Sequence, residues 1–440
     1  MVGSRRGSGK GKGFYLGKDM GFMCFKSDIK PGTSPVCFSL ALSFCLSLST
    51  TYYLLPTASY AGAPKYEPLP EELRLLSKKG IDGIYAVDLP EAKKHFELAL
   101  KKYPEHPYPH FGIAMTKWAE LEYLEDESAP EMGEEYGKLT DRAIDVALAW
   151  IKKHPGDANA YMCLGGMYGL RARLAVMQHR WITAYFDGRK ALSNTRRSLK
   201  LDPELYDSYL GLGMYEYYAG TLSGVIKILA RLFLRGDADK GMEYMKLCRE
   251  KGYFNSLAAE LMLIEIYTQP GGRFHDSATA VKWSAGLRKR YPVHPQMHFV
   301  QIVSLFEDRQ YAESRKEALE YLKRLQEGMP AYRKNFLPRI LTAVGATYQV
   351  EKNYDEALKY FRQAADTLKE DPAASPARWA VWALVKTGNI WDLKGDRAKA
   401  VELYKKAKTY KDEWGFWEYI DHYLKKSFSE RNLPGALPPP

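Results

Sequence analysis

The chain has 440 residues, 46% of them apolar, and a formal net charge of +11. Residues 1–61 hold seven Lys/Arg and two Asp/Glu, so the remainder carries 57 basic and 51 acidic side chains, a charge of +6. So mild a balance, with no stretch that interleaves aromatic and basic residues, argues against a nucleic-acid partner and leaves ample apolar material for one continuous core.

The first element is a leader. Residues 36–49, VCFSLALSFCLSLS, form an apolar run of 14, preceded by Lys26 and Lys30 and followed by the small-x-small site Ser59-Tyr60-Ala61. Length and order predict a secretory signal peptide cleaved near Ala61, with the mature chain periplasmic, or membrane-anchored if the leader is not cleaved. A permanent span needs about 20 apolar residues, so this run is short for one. Met20 or Met23 would give a leader of more ordinary length. Arg5-Arg6 lacks the following hydrophobic residues of a twin-arginine signal, and Phe44 before Cys45 breaks a lipoprotein box. Cleavage would remove Cys24, Cys37 and Cys45. It leaves Cys163 and Cys248, which fall at helix positions that pack inside and are expected as buried thiols, not a disulfide.

From residue 62 to 430 the chain reads as one domain built on a repeat. Ala92, Ala143, Ala191 and Ala280 each precede a proline by 12 positions (Pro104, Pro155, Pro203, Pro292), and Gly80, Gly345 and Gly388 each precede an alanine by 12 (Ala92, Ala357, Ala400). Gly80–Ala92–Pro104 joins the two series into one unit. A small residue lets two antiparallel helices approach, an aromatic fills the gap between neighbouring hairpins, and proline ends the second helix. A period near 34 residues made of paired helices means a solenoid. Hairpins are predicted to begin near residues 73, 107, 158, 206, 255, 295, 338 and 381, with a capping helix at 415–429 and a disordered Pro-rich tail at 431–440. The regular pairs are 73–106, 338–371 and 381–414; the middle carries additions after Trp118, Tyr168 and Tyr218, and hairpins five and six keep the rhythm poorly.

These residues resemble the tetratricopeptide repeat. Tyr161-x2-Leu164-Gly165-x2-Tyr168 and Tyr209-x2-Leu212-Gly213 match its first helix. Ala92-x3-Phe96-x2-Ala99-x4-Pro104, Ala357-x3-Phe361-x2-Ala364 and Ala400-x3-Tyr404-x2-Ala407 match its second. The resemblance covers about residues 70–415 and implies an all-α, right-handed superhelical solenoid of about eight antiparallel hairpins. Residues 158–236 are also loosely similar to secreted bacterial repeat proteins and distantly to Iml2-type repeat proteins, neither of which carries a defined activity over. In tetratricopeptide proteins the first-helix positions 2, 5, 9 and 12 face a concave groove. Here these include Tyr108, Phe111, Met115 and Trp118, then Asn159 and Met162, then Asp207, Leu210, Met214 and Tyr217. Aromatic and methionine side chains in such a groove would suit an apolar or helical protein segment. No Lys/Asn clamp for a terminal carboxylate is recognisable.

Three segments depart from the repeat. Residues 119–141 hold nine acidic side chains against one Lys, read as a solvated connection. Residues 171–200 carry eight Lys/Arg against Asp187 alone. If Arg171, His179-Arg180 and Arg189-Lys190 lined the groove they would suit an acidic ligand, whereas intramolecular pairing with the acidic segment is the simpler reading. Residues 222–234, LSGVIKILARLFL, form an amphipathic stretch with Lys227, Arg231 and Arg235 on one face. It is read as a cover for the repeat core or, in the competing reading, as a peripheral membrane contact.

Tyr103-Pro-x-His106-Pro-x-x-His110 recurs as Tyr291-Pro-x-His294-Pro-x-x-His298. A proline after the first His places it in a turn, so the pair is expected to follow repeat geometry and no metal is assigned. There is no Gly-rich phosphate loop, His-Glu-x-x-His, Gly-x-Ser-x-Gly or Cys-x-x-Cys. No catalytic residue and no cofactor is therefore assigned. The sequence points to a non-enzymatic scaffold outside the cytoplasm that holds a protein or peptide partner of the cell envelope. A membrane-surface adaptor using 222–234 or the leader is the alternative.

Overall fold

A computed structural model describes residues 68–123, 130–177, 180–221, 236–368, 378–410 and 416–430. The leader, the amphipathic stretch 222–234 and the tail lie outside the described residues.

Eight pairs of helices follow one another. They are α1 (Glu71–Tyr85) with α2 (Leu89–Lys102), α3 (Pro107–Tyr123) with α4 (Pro130–Lys153), α5 (Ala158–Met177) with α6 (Trp181–Leu201), and α7 (Ser208–Thr221) with α8 (Ala238–Lys251). Then come α9 (Ser256–Tyr267) with α10 (Ser277–Arg290), α11 (Pro295–Glu307) with α12 (Tyr311–Gln326), α13 (Leu337–Val350) with α14 (Tyr354–Ala365), and α15 (Arg378–Leu393) with α16 (Arg397–Lys408). A last helix, α17 (Phe416–Lys425), packs Phe416 on Trp382 and Tyr423 on Tyr404, covering the end of the array as a solenoid requires. Each helix meets its neighbours in sequence, so the molecule is an all-α solenoid.

The glycines and aromatics of the repeat explain why the pairs close. A Cβ on Gly80 would lie 2.5 Å from the Phe96 ring and one on Gly112 would lie 2.0 Å from it, so one aromatic of α2 fills notches in both α1 and α3. The same geometry places Gly345 of α13 against Phe361, at 2.6 Å, and Gly388 of α15 against Tyr404, at 2.5 Å. The partner alanines Ala92, Ala357 and Ala400 are fully buried at these crossings. In the irregular middle the notch of Gly213 is filled by Met245 and that of Gly165 by Thr195, which is why the aromatic signal is lost there.

The turns inside the pairs also repeat. Val87, Arg309, Lys352 and Gly395 have φ of 59°, 62°, 62° and 83°, each one residue before the N-cap of the next helix. Asp88, Asn353 and Asp396 then accept a hydrogen bond from the backbone N–H three residues on, satisfying a donor the helix start leaves open.

The two helices of a pair differ in exposure. In α11, 12 of 13 residues are buried, whereas α12 buries five of its 16. The first helices α9, α13 and α15 are enclosed in the same way, while α1 and α7 bury only five of 15 and four of 14 residues; second helices are amphipathic, which makes an inner and an outer row. One contact runs between distant pairs. The turn Gly252–Asn255 after α8 inserts Phe254 among Leu73 and Leu76 of α1, Tyr108 of α3, and Met162 and Cys163 of α5. Arg74 lies over the Tyr253 ring at 4.3 Å, and Tyr85 of α1 meets Tyr291 after α10 at 6.2 Å between ring centroids. The first pair is therefore seamed to the fifth.

Candidate functional site

The inner row of α3, α5 and α7, with Asp207 immediately before α7, carries the eleven residues expected in a groove, and the structure divides them. Six are buried. Tyr108 packs on Phe254 at 5.2 Å and its hydroxyl donates to Asn159 Oδ1 at 3.4 Å. Met162 lies in the same cluster. Trp118 packs on Tyr136 at 5.2 Å, with the Arg173 guanidinium 4.3 Å from its ring. Tyr217 donates to Gln269 Oε1 at 3.0 Å. Asp207 accepts from the backbone N–H groups of Phe254 (2.8 Å) and Asn255 (2.7 Å), and its carbonyl accepts from Asn255 Nδ2 at 3.0 Å. Burial raises the Asp207 carboxyl pKa, against the opposing pull of those backbone donors.

Phe111, Met115, Leu210, Met214 and Arg171 are half-buried. Phe111 lies over Gly166, where an added Cβ would come within 3.1 Å of its ring. Arg171 bonds Asp187 through Nε at 2.7 Å and through Nη2 at 2.8 Å, and reaches Asp141 at 2.7 Å. It thereby ties α4, α5 and α6 together, and its pKa is raised first of all by the Asp187 bond. This links the acidic and basic segments at one point, within the protein. His179 lies outside the described residues.

The duplicated His-Pro motif has a local cause. Nδ1 of His294 accepts from the backbone N–H of Gln296 at 3.2 Å, and Nδ1 of His106 accepts from that of Tyr108 at 3.2 Å. Each His opens a first helix with proline as the next residue, where its missing N–H costs nothing. The second His of each motif is also held inside. His110 Nε2 meets the Pro104 carbonyl at 2.9 Å. His298 lies 3.0 Å from the Tyr332 hydroxyl and 3.1 Å from Glu317, and Arg324 donates to Tyr332 at 3.2 Å. Burial lowers the His298 pKa, and the bond to His298 lowers that of Glu317. With His298 and Tyr332 both buried, this chain of contacts joins α11, α12 and the segment before α13.

Cys163 and Cys248 are free, buried thiols, each pushed up by burial and so held away from the reactive thiolate. Among the described residues no group of three His, Cys, Asp or Glu side chains could hold a metal ion. Sequence reasoning missed the role of the 252–255 turn. Its signal was present as Gly252-Tyr253-Phe254-Asn255, two aromatics at the junction where the repeat rhythm weakens.

No family model matches the chain, and no curated protein matches it. Among solved structures it is similar to a tetratricopeptide repeat protein from Parabacteroides merdae, at 14% identity over 69% of this chain and 95% of that one, with a TM-score of 0.30. It is also similar to human IFIT1 in a dimer with PPP-AAAA, at 12% identity over 82% and 86% of the two chains with a TM-score of 0.41. Yeast Tom70 is similar at 12% identity over 81% and 90%, with a TM-score of 0.25. The paired helices, with glycine notches filled by aromatics of the next helix, give this chain a tetratricopeptide-like repeat fold.

Proposed function

We propose that the chain is a non-enzymatic scaffold, exported from the cytoplasm, that holds a protein segment along the inner row of α3, α5 and α7. The observation that supports this is the half-buried set Phe111, Met115, Leu210 and Met214, which occupies equivalent positions of the first helices α3 and α7 on either side of α5. Methionine and phenylalanine adapt to an apolar helix face, and their neighbours Tyr108, Trp118 and Tyr217 are fixed by the core, so the surface is preorganised. The partner would be a component of the cell envelope. Replacing Met115 and Met214 by Gln, which keeps side-chain length, is expected to weaken partner association by about tenfold or more in a protein that still unfolds cooperatively; unchanged association refutes the reading. Export is tested by the intact mass of the native protein, which should begin near Gly62 in the extracytoplasmic fraction.

A second reading has its own observation. Ile182 is 77% exposed and Phe186 47%, with Tyr185 beside them and Arg189 one turn on, an apolar and basic stripe on α6. Such a stripe suits an anionic membrane surface. No described helix is long and apolar enough to cross a membrane. Flotation of residues 62–440 with anionic liposomes, lost on replacing Ile182 and Phe186 by Ser, would favour this adaptor role; absence of flotation removes it.

A further inference from the structure

Arg339, in the first turn of α13, is a buried guanidinium with no carboxylate beside it among the described residues. It is 6% exposed and lies between two aromatic rings, 4.2 Å from the centroid of Phe299 on α11 and 4.5 Å from that of Phe336. Its Nη1 donates to Gln296 Oε1 at 3.2 Å and its Nη2 to the Tyr321 hydroxyl at 3.4 Å, both neutral acceptors. Its Nε is enclosed and has no hydrogen-bond partner. Trp379 of α15, 7% exposed, meets the same Phe299 ring edge-on at 5.7 Å, and its indole N–H also has no acceptor. Thr342 of α13 donates to the Trp379 carbonyl at 3.3 Å and so holds α15 against α13 at this point.

The charge around this cluster is one-sided. Three first helices begin here, at Pro295, Leu337 and Arg378, and helix starts carry partial positive charge. Those helices hold two carboxylates, Glu307 and Asp392, at the far ends of α11 and α15, and Asp392 is taken by Arg397 at 3.0 Å. On α12, Glu317 stands 3.1 Å from His298 and 3.8 Å from Arg288, Glu320 pairs with Arg324 at 2.8 Å, and Glu313 faces Lys316 at 3.5 Å. On α14, Asp355 pairs with Lys394 at 2.8 Å and Glu356 with Lys359 at 3.5 Å. Meanwhile α15 adds two more buried cations, Arg378 and Lys386. A buried cation is strongly disfavoured unless an opposite charge meets it. Water could accept from the open N–H groups but would leave the charge uncompensated.

We propose that the enclosed edge formed by Arg339 Nε and Trp379 Nε1 binds one small monovalent anion of chloride size. The size follows from the burial of Gln296, Arg339 and Trp379, which admits no larger ligand. The shape follows from the donors. Both Nη groups are occupied, so the paired fork that grips a planar carboxylate or a phosphate is not on offer, whereas a spherical ion takes single N–H groups from any direction. The ion would tie the sixth, seventh and eighth pairs together at their first turns, whatever the inner row of α3 and α7 holds.

The test is thermal unfolding of the full chain at fixed ionic strength, with sodium gluconate exchanged stepwise for sodium chloride. A site predicts a saturable rise of the midpoint with chloride, because an ion that binds only the folded chain stabilises it. Arg339→Met replaces the charge by an apolar side chain and should remove the chloride dependence. Trp379→Phe keeps a ring in place and should weaken the apparent chloride affinity by about tenfold or more, the usual worth of a hydrogen bond to a charged group. Should Arg339→Met not fold, Trp379→Phe and crystals grown in bromide still decide. The anomalous signal of bromide is expected within hydrogen-bond reach of both Arg339 Nε and Trp379 Nε1. Three results would overturn the assignment. One is a midpoint indifferent to the exchange, or made sensitive to it only by replacing Glu370 and Asp371 with Gln and Asn, which would make the counter-charge the chain's own. The others are equal chloride dependence in Trp379→Phe and the native chain, and bromide found at the surface alone as an adventitious ion only.

Discussion

At the scale of single residues, the fold rests on a few positions where only one side chain fits. Gly345 faces Phe361 at a distance no real Cβ tolerates. Gly345→Ala should cost about 1–3 kcal/mol by overpacking, read as a lower urea midpoint. Val87 shows the opposite case, since a β-branched residue at φ 59° is strained. Val87→Gly should raise stability by about 1 kcal/mol in the same experiment. His294 links the fold to pH. Burial pushes its imidazole from 6.5 down to about 3. A pKa lowered on folding stabilises above the unfolded value, so this contribution is complete above about 6.5 and is lost as pH falls toward 3. His294→Asn keeps an N-capping side chain without the titration. Between pH 7 and pH 4 the native protein should lose about 2–3 kcal/mol more than this variant, and parallel losses would show that His294 does not titrate in the fold.

At the scale of elements, the sequence was most legible where one residue type recurs for one packing reason. Gly80, Gly345 and Gly388 and their aromatic partners announced pairs one, seven and eight, and α17 was legible from the need to cap them. The middle was less legible because Met245 and Thr195 fill notches that the repeat pattern reserves for an aromatic, and because α4, α5 and α6 run to 24, 20 and 21 residues. The inner-row residues were legible only as positions. Whether Tyr108 or Tyr217 lies open or enclosed depends on Phe254 and Gln269, which sit 146 and 52 residues away and follow no periodicity. Asp207 shows how such a contact is held. Its carboxylate fixes two backbone N–H groups of the 252–255 turn, so Asp207→Ala leaves buried donors unsatisfied and should cost about 2–4 kcal/mol. Amide exchange at Phe254 and Asn255 should accelerate more than that of α13 or α15; uniform acceleration would mean that the turn is not a separate locking element.

At the scale of the whole molecule, an inner row of first helices, enclosed most fully from α9 onward, and a row of amphipathic second helices make a solenoid whose first and fifth pairs are seamed. Much of the inner row is consumed by that seam, which leaves a narrower apolar strip on α3 and α7 for a partner than an open array would offer. The most direct test is photo-crosslinking in the source cells, with a benzophenone side chain placed at Met115, at Met214, or at the outer-row position Leu148. The scaffold account predicts one adduct of the same mass from Met115 and Met214, absent from Leu148 and lost when Phe111 is replaced by Asp. The same adducts from Leu148, or none from either inner position, would contradict it.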